Sequence, residues 1–222
     1  MDFEHVEARG LVKLYGATRA LAGVDLRFEA GAISVVLGSN GSGKSTLLSI
    51  LAGLALPTDG EVRYGSHGSR RRGEALRAKI GVLAHAPMIY PDLSGRENLL
   101  FFAGLYGASR ERVASLCERF EIGRFADRPV RTYSRGQLQR IALARAVLHT
   151  PRLLLLDEPS TGLDTRGVDR LVQAVHEERE RGAILVLVTH DQDLAKSLAD
   201  VRITLDRGRV ASIETRATEA TS

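Results

Sequence analysis

Cysteine occurs once in the 222 residues, at Cys117, so no disulfide can be internal to the chain. It falls on the face of a helical run, where a thiol reads as core packing. Long hydrophobic runs are absent. Runs such as LLLL at Leu153–Leu156 and ILVLV at Ile184–Val188 fall far below the ~18 residues that a bilayer-spanning helix requires. No signal-peptide pattern opens the sequence, and the expectation is a cytoplasmic location. Lysine is scarce, four of 31 basic residues, and the formal charge of +4 permits an anionic neighbour without demanding one. The arginine-rich segment Ser66–Lys79 has no interleaved aromatics. It reads as a solvated loop and short helix, and no nucleic-acid partner is expected. There is no internal repeat.

What is present suits a packed α/β protein. A chain of this length buries roughly 70% of its unfolded surface, and 44% hydrophobic with 26% charged residues is ordinary globular composition. From His5 to about Leu37 the pattern is one of short strands. A helix is expected over Lys44–Gly53, a strand over Lys79–Ala84, and helices through GRENLLFFAGLYG and SRERVASLCERFEI. Strand and helix then alternate: RLLLLD, a helix from Asp164 to Arg181, AILVLVTH, a helix over Asp193–Asp200, and a closing hairpin. Fully apolar strands between helices argue a mainly parallel sheet covered on both faces. The expected organisation is one domain over 1–222. Residues 1–86 and 147–214 form the α/β core with an N-terminal antiparallel β subdomain, 87–146 an inserted helical lobe, and 215–222 a frayed tail.

Residues Gly38 to Ser45 read G-x-x-x-x-G-K-S, after a strand and at the start of a helix, the context a phosphate-binding P-loop requires. Gly38, Ser39, Asn40, Gly41, Ser42 and Gly43 would turn backbone amides inward on phosphates, aided by the partial positive charge of the helix start. Lys44 would reach the β- and γ-phosphates, Ser45 would ligate Mg²⁺, and Thr46 would lie near the α-phosphate. LLLLDEP supplies a second metal feature. Asp157 emerges at a strand's carboxyl end, where ligand crevices of open sheets lie, and is the expected Mg²⁺ partner. Glu158 beside it can orient and deprotonate an attacking water. A third strand, ILVLVTH, ends in His190, which would face the same crevice and touch the γ-phosphate. Tyr15, between the first strand and a loop, could stack on an adenine. No guanine-reading N-K-x-D occurs, so ATP is favoured over GTP.

The stretch TYSRGQLQR, Thr132–Arg140, opens a second helix about ninety residues after the P-loop, with Ser134 as its N-cap. With these motifs in order, including S-T-G-L-D at Ser160–Asp164, the whole chain resembles the ATP-binding subunit of ABC transporters. YSRGQ departs from the family signature LSGGQ at two positions and keeps Ser134, Gly136 and Gln137. The resemblance implies the ABC ATPase fold, a P-loop NTPase core with the inserted lobe. It also implies head-to-tail pairing of two ATPase subunits, a homodimer in the simplest case. Ser134, Gly136 and Gln137 would then act in trans on the nucleotide of the partner, with Ser160–Asp164 at the dimer seam. Arg135, in place of a glycine, is expected to leave the phosphate contacts intact by pointing away.

The resemblance further implies a separate transmembrane permease docking near His85–Gly107, and a place on the cytoplasmic face of the inner membrane. His85 stands where the family usually has glutamine. Because Mg²⁺ prefers oxygen ligands, His85 would meet the metal shell only through a water, or pack against the docked partner alone. His85 followed by P-x-x-Y-P-x-L-S-x-x-E-N-L is similar to the ATPase of haem exporters of cytochrome c maturation. Export is the expected direction, with haem as the candidate cargo. A drug, lipid or polysaccharide exporter is the alternative, and a soluble ABC ATPase in translation or DNA repair the remaining rival.

Overall fold

The computed structural model of the chain describes residues 3–68 and 73–216. Two strands open the fold, β1 (His5–Tyr15) and β2 (Thr18–Glu29). They pair antiparallel, and β4 (Asp59–Tyr64) and β5 (His67–Gly68) complete a sheet of order β2-β1-β4-β5. This is the expected β subdomain, but its first two strands are long where the sequence suggested short ones. Register shifts between Ala8 and Leu11 and between Leu11 and Val12 explain the difference. Each bulge breaks the alternation of apolar residues, so one long strand looks like several in sequence.

The second sheet holds β3 (Ile33–Leu37), β6 (Ile80–Leu83), β7 (Leu153–Asp157), β8 (Ile184–Val188), β9 (Val201–Asp206) and β10 (Arg209–Thr215). Its order is β10-β9-β3-β8-β7-β6, parallel throughout except for β10 at one edge. Alternate residues of its strands serve two different cores, as the strand period dictates. Val36, Leu153, Leu155, Val186 and Val188 face α1 (Lys44–Leu51) and the β subdomain. Val35, Leu154, Leu156, Leu185 and Leu187 face the helices of the other side.

Those helices are α3 (Gly95–Tyr106), α4 (Arg110–Arg119), α5 (Arg135–Val147), α6 (Thr165–Glu180) and α7 (Gln192–Leu198), with α2 (Glu74–Arg77) a single turn before β6. Ser94 with Glu97, Ser109, Ser134 with Gln137, Asp164 and Asp191 cap five helix starts, each satisfying amides that a bare helix end would leave unpaired. Leu99, Val113, Leu116, Cys117 and Phe120 of the helical insertion pack in one cluster with Leu154, Leu156 and Leu185 of the sheet. Cys117 is buried, as its place on the helix face predicted. At the C-terminus, β10 runs to Thr215, and the Arg216 amide donates to the Asp200 carbonyl at 2.7 Å. The rest of the expected frayed tail lies outside the described residues.

Candidate active site

The P-loop connects β3 to α1 and is shaped by close backbone approaches. A Cβ on Gly38 would stand 2.3 Å from the Leu205 carbonyl oxygen, and one on Gly43 2.4 Å from that of Ala20. Gly43 caps α1 in the left-handed region, with no side-chain cap and no acidic residue in the first turn. The helix start therefore keeps unsatisfied amides and its full positive end. Lys44 folds back, its Nζ donating to the Gly38 and Ser39 carbonyls at 2.8 Å each. Ser42 Oγ is buried and has no hydrogen-bond partner among the described residues. An uncapped helix start, a tethered ammonium and an orphaned hydroxyl fit a bound polyanion.

Asp157 ends β7 with little exposed surface. Burial pushes its carboxyl up, opposed by a hydrogen bond from Ser45 and by the nearby Lys44 charge. A carboxylate desolvated beside a serine hydroxyl is an all-oxygen pair suited to a hard cation. No group of three or more acidic, histidine or cysteine side chains able to hold a metal occurs among the described residues. A metal here would therefore need phosphate or water for its remaining ligands, which is the habit of Mg²⁺ at nucleotide sites.

Glu158 has φ 48°, in the left-handed region, while its amide still donates to the Val188 carbonyl at 2.8 Å. In a regular strand consecutive side chains take opposite faces. The kink lets Asp157 and Glu158 both line one crevice. His190 Nδ1 lies 2.9 Å from Glu158 Oε2, and the Thr189 hydroxyl donates to the same oxygen at 3.3 Å. That carboxylate holds the His190 imidazole above the ordinary histidine range.

A cleft of about 650 Å³ brings together Asn40, Gly41, Gly43, Lys44, Ser45 and Thr46 with His85, Asp157, Glu158 and His190. It does not gather every expected residue. Tyr15, 52% exposed, lies outside the lining, and the Lys13 ammonium sits 4.9 Å from its ring centroid. Ser134, Gly136 and Gln137 lie outside it too. Ser134 and Gln137 form a reciprocal capping box at the start of α5, and a Cβ on Gly136 would stand 2.6 Å from the Gly162 carbonyl oxygen. Asp164 caps α6 and takes a bond from Arg140 at 3.2 Å.

Three residues near the site went unnamed as site residues in the sequence. Gln139 lines the cleft and donates to the Glu158 and Pro159 carbonyls at 3.3 and 2.9 Å, fixing the turn that carries the carboxylate. Thr189 buttresses Glu158. Arg135 lays its stem over Gly162 and lines the cleft of its own chain. Only the position of Gln139 on the signature helix hinted at any of this.

A parallel sheet with a P-loop after β3, a strand-end aspartate bonded to the loop's serine, and a helical insertion define a P-loop NTPase of the nucleotide-binding cassette class. The sequence model described as ABC transporter matches residues 21–161, and the chain belongs to that family. It is 39% identical to the daunorubicin/doxorubicin resistance ATP-binding protein DrrA of Streptomyces peucetius, over 92% of this chain and 63% of DrrA. Against the lipoprotein-releasing system ATP-binding protein LolD 1 of Caulobacter vibrioides it is 35% identical, over 93% of this chain and 94% of the relative. The fold superposes with TM-score 0.88 and 30% identity on the dimeric bacterial ABC transporter cassette MJ0796, covering 96% of this chain and 100% of that one. The same cassette is known in a post-hydrolysis dimer bound to ADP and Pi. The chain thus spans about two thirds or less of the DrrA-type relatives' length.

Proposed function

We propose that the chain is an ATP-hydrolysing subunit that pairs with a second ATPase subunit around two ATP molecules and drives a separate transmembrane permease. The observation that carries this reading is the single crevice shared by Lys44, Ser45, Asp157, Glu158 and His190. Bound ATP and Mg²⁺ would supply the phosphoanhydride and the neutralising charge for phosphoryl transfer to water. On the protein's side, the P-loop amides and Lys44 hold the phosphates, with Lys44 exchanging two carbonyl partners for phosphate oxygens. Thr46 would add a hydroxyl near the α-phosphate, and Ser45 and Asp157 would hold the metal, Asp157 through a water. Glu158 orients the attacking water and takes its proton, while His190, already tied to that carboxylate, contacts the γ-phosphate. His85, an exposed cleft residue, meets the metal's water rather than the metal. Tyr15 offers its ring to the adenine once Lys13 yields the face.

The trans half of the site is Ser134, the Gly136 amide and Gln137 at the start of α5. Ser134 Oγ accepts from the Gln137 amide at 3.3 Å, and its hydroxyl proton remains available to a phosphate oxygen of the partner's nucleotide. The dimeric MJ0796 cassette supports the pairing with a second ATPase subunit that this requires. The expected division of the chain into a core, 1–86 and 147–214, and a signature-bearing lobe, 87–146, belongs to the same reading. Hydrolysis measured against protein concentration tests it. Specific activity should rise as dimers form, and a dilute chain turning over as fast as a concentrated one overturns the sandwich.

No helix among the described residues is long and apolar enough to cross a membrane. The permease would dock near His85–Gly107, where Met88, Tyr90 and Phe101 are exposed, holding the ATPase peripherally on the cytoplasmic face of the inner membrane. Export of haem for cytochrome c maturation is supported by His85 and the P-x-x-Y-P-x-L-S segment. Drug export is the second reading, favoured by the DrrA relatives named for drug resistance. Identifying the membrane proteins that co-purify with the chain, and the cargo they bind, decides between them.

A further inference from the structure

Tyr133 immediately precedes Ser134 and stands where the signature has leucine. Its hydroxyl is the structural difference. It accepts from the Gly95 amide at 3.1 Å and donates to the Phe125 carbonyl at 2.8 Å, using both of a phenol's hydrogen-bonding roles. The ring stands edge-on to Phe125 with centroids 4.9 Å apart. Gly95 is fitted to it: a Cβ there would lie 2.3 Å from Tyr133 Oη and 2.8 Å from Ile141 Cδ1. Gly95 is also the first residue of α3, and its amide is one that a helix start leaves unsatisfied.

Around this contact the two segments are laced together. The Val130 amide donates to the Leu93 carbonyl at 2.9 Å and the Arg131 amide to that of Pro91 at 2.9 Å. Ser94 pairs with Pro129 in an isolated antiparallel bridge, and Arg131 meets Asp92 at 3.0 Å. The segment 90–95 thus joins the proposed docking face at one end and the residue before Ser134 at the other.

We infer that the Tyr133 hydroxyl is a positioning latch that fixes Ser134 to the start of α3, so that the docking face and the signature move as one body. The inference rests on the proposed trans role of Ser134. A displacement of α3 by a docked membrane partner moves the Gly95 amide, Tyr133 Oη follows through its two bonds, and Ser134 follows as the next residue. Tyr133 lies outside the lining of the cleft that holds Lys44, so its effect belongs to turnover and not to ATP capture by Lys44.

The full chain is tested by steady-state ATPase kinetics and by ATP titration of dilute protein. Tyr133→Phe should lower kcat about five- to hundredfold, the worth of the hydroxyl's two lost hydrogen bonds, with ATP affinity unchanged. Gly95→Ala should lower kcat through the same joint. Gly95→Ala combined with Tyr133→Phe should lose no more than the worse single variant, because both changes break one joint. A merely structural role predicts parallel losses of ATP binding and turnover, and a double variant worse than either single one; that result overturns the latch. So does a Tyr133→Phe chain with normal kcat. Ser134→Ala run alongside separates the failures. If it loses turnover while Tyr133→Phe does not, only the latch falls; if it keeps full turnover, the trans role of Ser134 falls and the latch with it.

Discussion

The P-loop and the signature segment are both glycine-containing helix starts, yet they meet their unpaired amides in opposite ways. At α1 a left-handed Gly43 leaves the amides open, and Lys44 and Ser42 are buried around them. At α5 the chain caps itself, Ser134 and Gln137 exchanging bonds on an exposed surface. The first is prepared for an anion within its own chain. The second has its Gln137 amide satisfied when alone, and keeps the Gly136 amide, a hydroxyl proton and a dipole to offer. On the proposed reading the first serves the chain's own nucleotide and the second that of a partner.

The largest expected effect breaks the chemistry that both halves serve. Glu158→Gln keeps the carboxylate's shape and removes its basicity, so hydrolysis should fall roughly 10²–10⁴-fold while ATP binding persists. Size-exclusion chromatography with ATP and Mg²⁺ should then show an accumulated dimer. Next, the two helix starts are separated by crossing variants. Lys44→Ala should lose ATP affinity, whereas Ser134→Arg should keep it and lose about 10²-fold in turnover, the usual worth of one oxyanion-type donor. Mixing the two should restore some activity, since some heterodimers hold one intact composite site. No recovery beyond the sum of the parts would count against a trans signature.

A smaller effect compares the packing of the two glycines. Gly43→Ala meets the Ala20 carbonyl oxygen at 2.4 Å and Leu21 Cδ2 at 2.8 Å, at φ 105°. Gly136→Ala meets the Gly162 carbonyl oxygen at 2.6 Å with no positive φ. The first should cost about 2–3 kcal/mol and the second less, read as a larger fall in Tm for Gly43→Ala. The smallest effect is a titration. The Glu158 carboxylate raises His190, so the charged pair is fully formed below the free-histidine value and is lost as pH climbs through the raised one. An NMR titration should place His190 above about 6.5, and Glu158→Gln should bring it back down.

Sequence made the P-loop, Asp157, Glu158 and His190 legible because each sits at the end of a short apolar strand, where a polar residue has only the crevice to face. The start of α5 was legible for a similar local reason: Ser134 carries its signal in one residue. The bulged β1 and β2 were not, since a register shift is a property of two paired strands. Gln139 and Thr189 were missed, and Arg135 was read only as pointing away, because their roles depend on what lies across from them. Tyr15 shows the same limit, its ring being free to stack in sequence and partly occupied by Lys13 in the fold.

The left-handed backbone at Glu158 also bears on how such a protein can change over time. A non-glycine residue held there costs about 1–2 kcal/mol, and glycine would occupy the same turn without that penalty. Under its proposed role as the base, the position sets selection for heat resistance against selection for turnover. In a lineage where hydrolysis at this site no longer mattered, Glu158 would be among the first residues discarded, and its loss would leave a firmer fold.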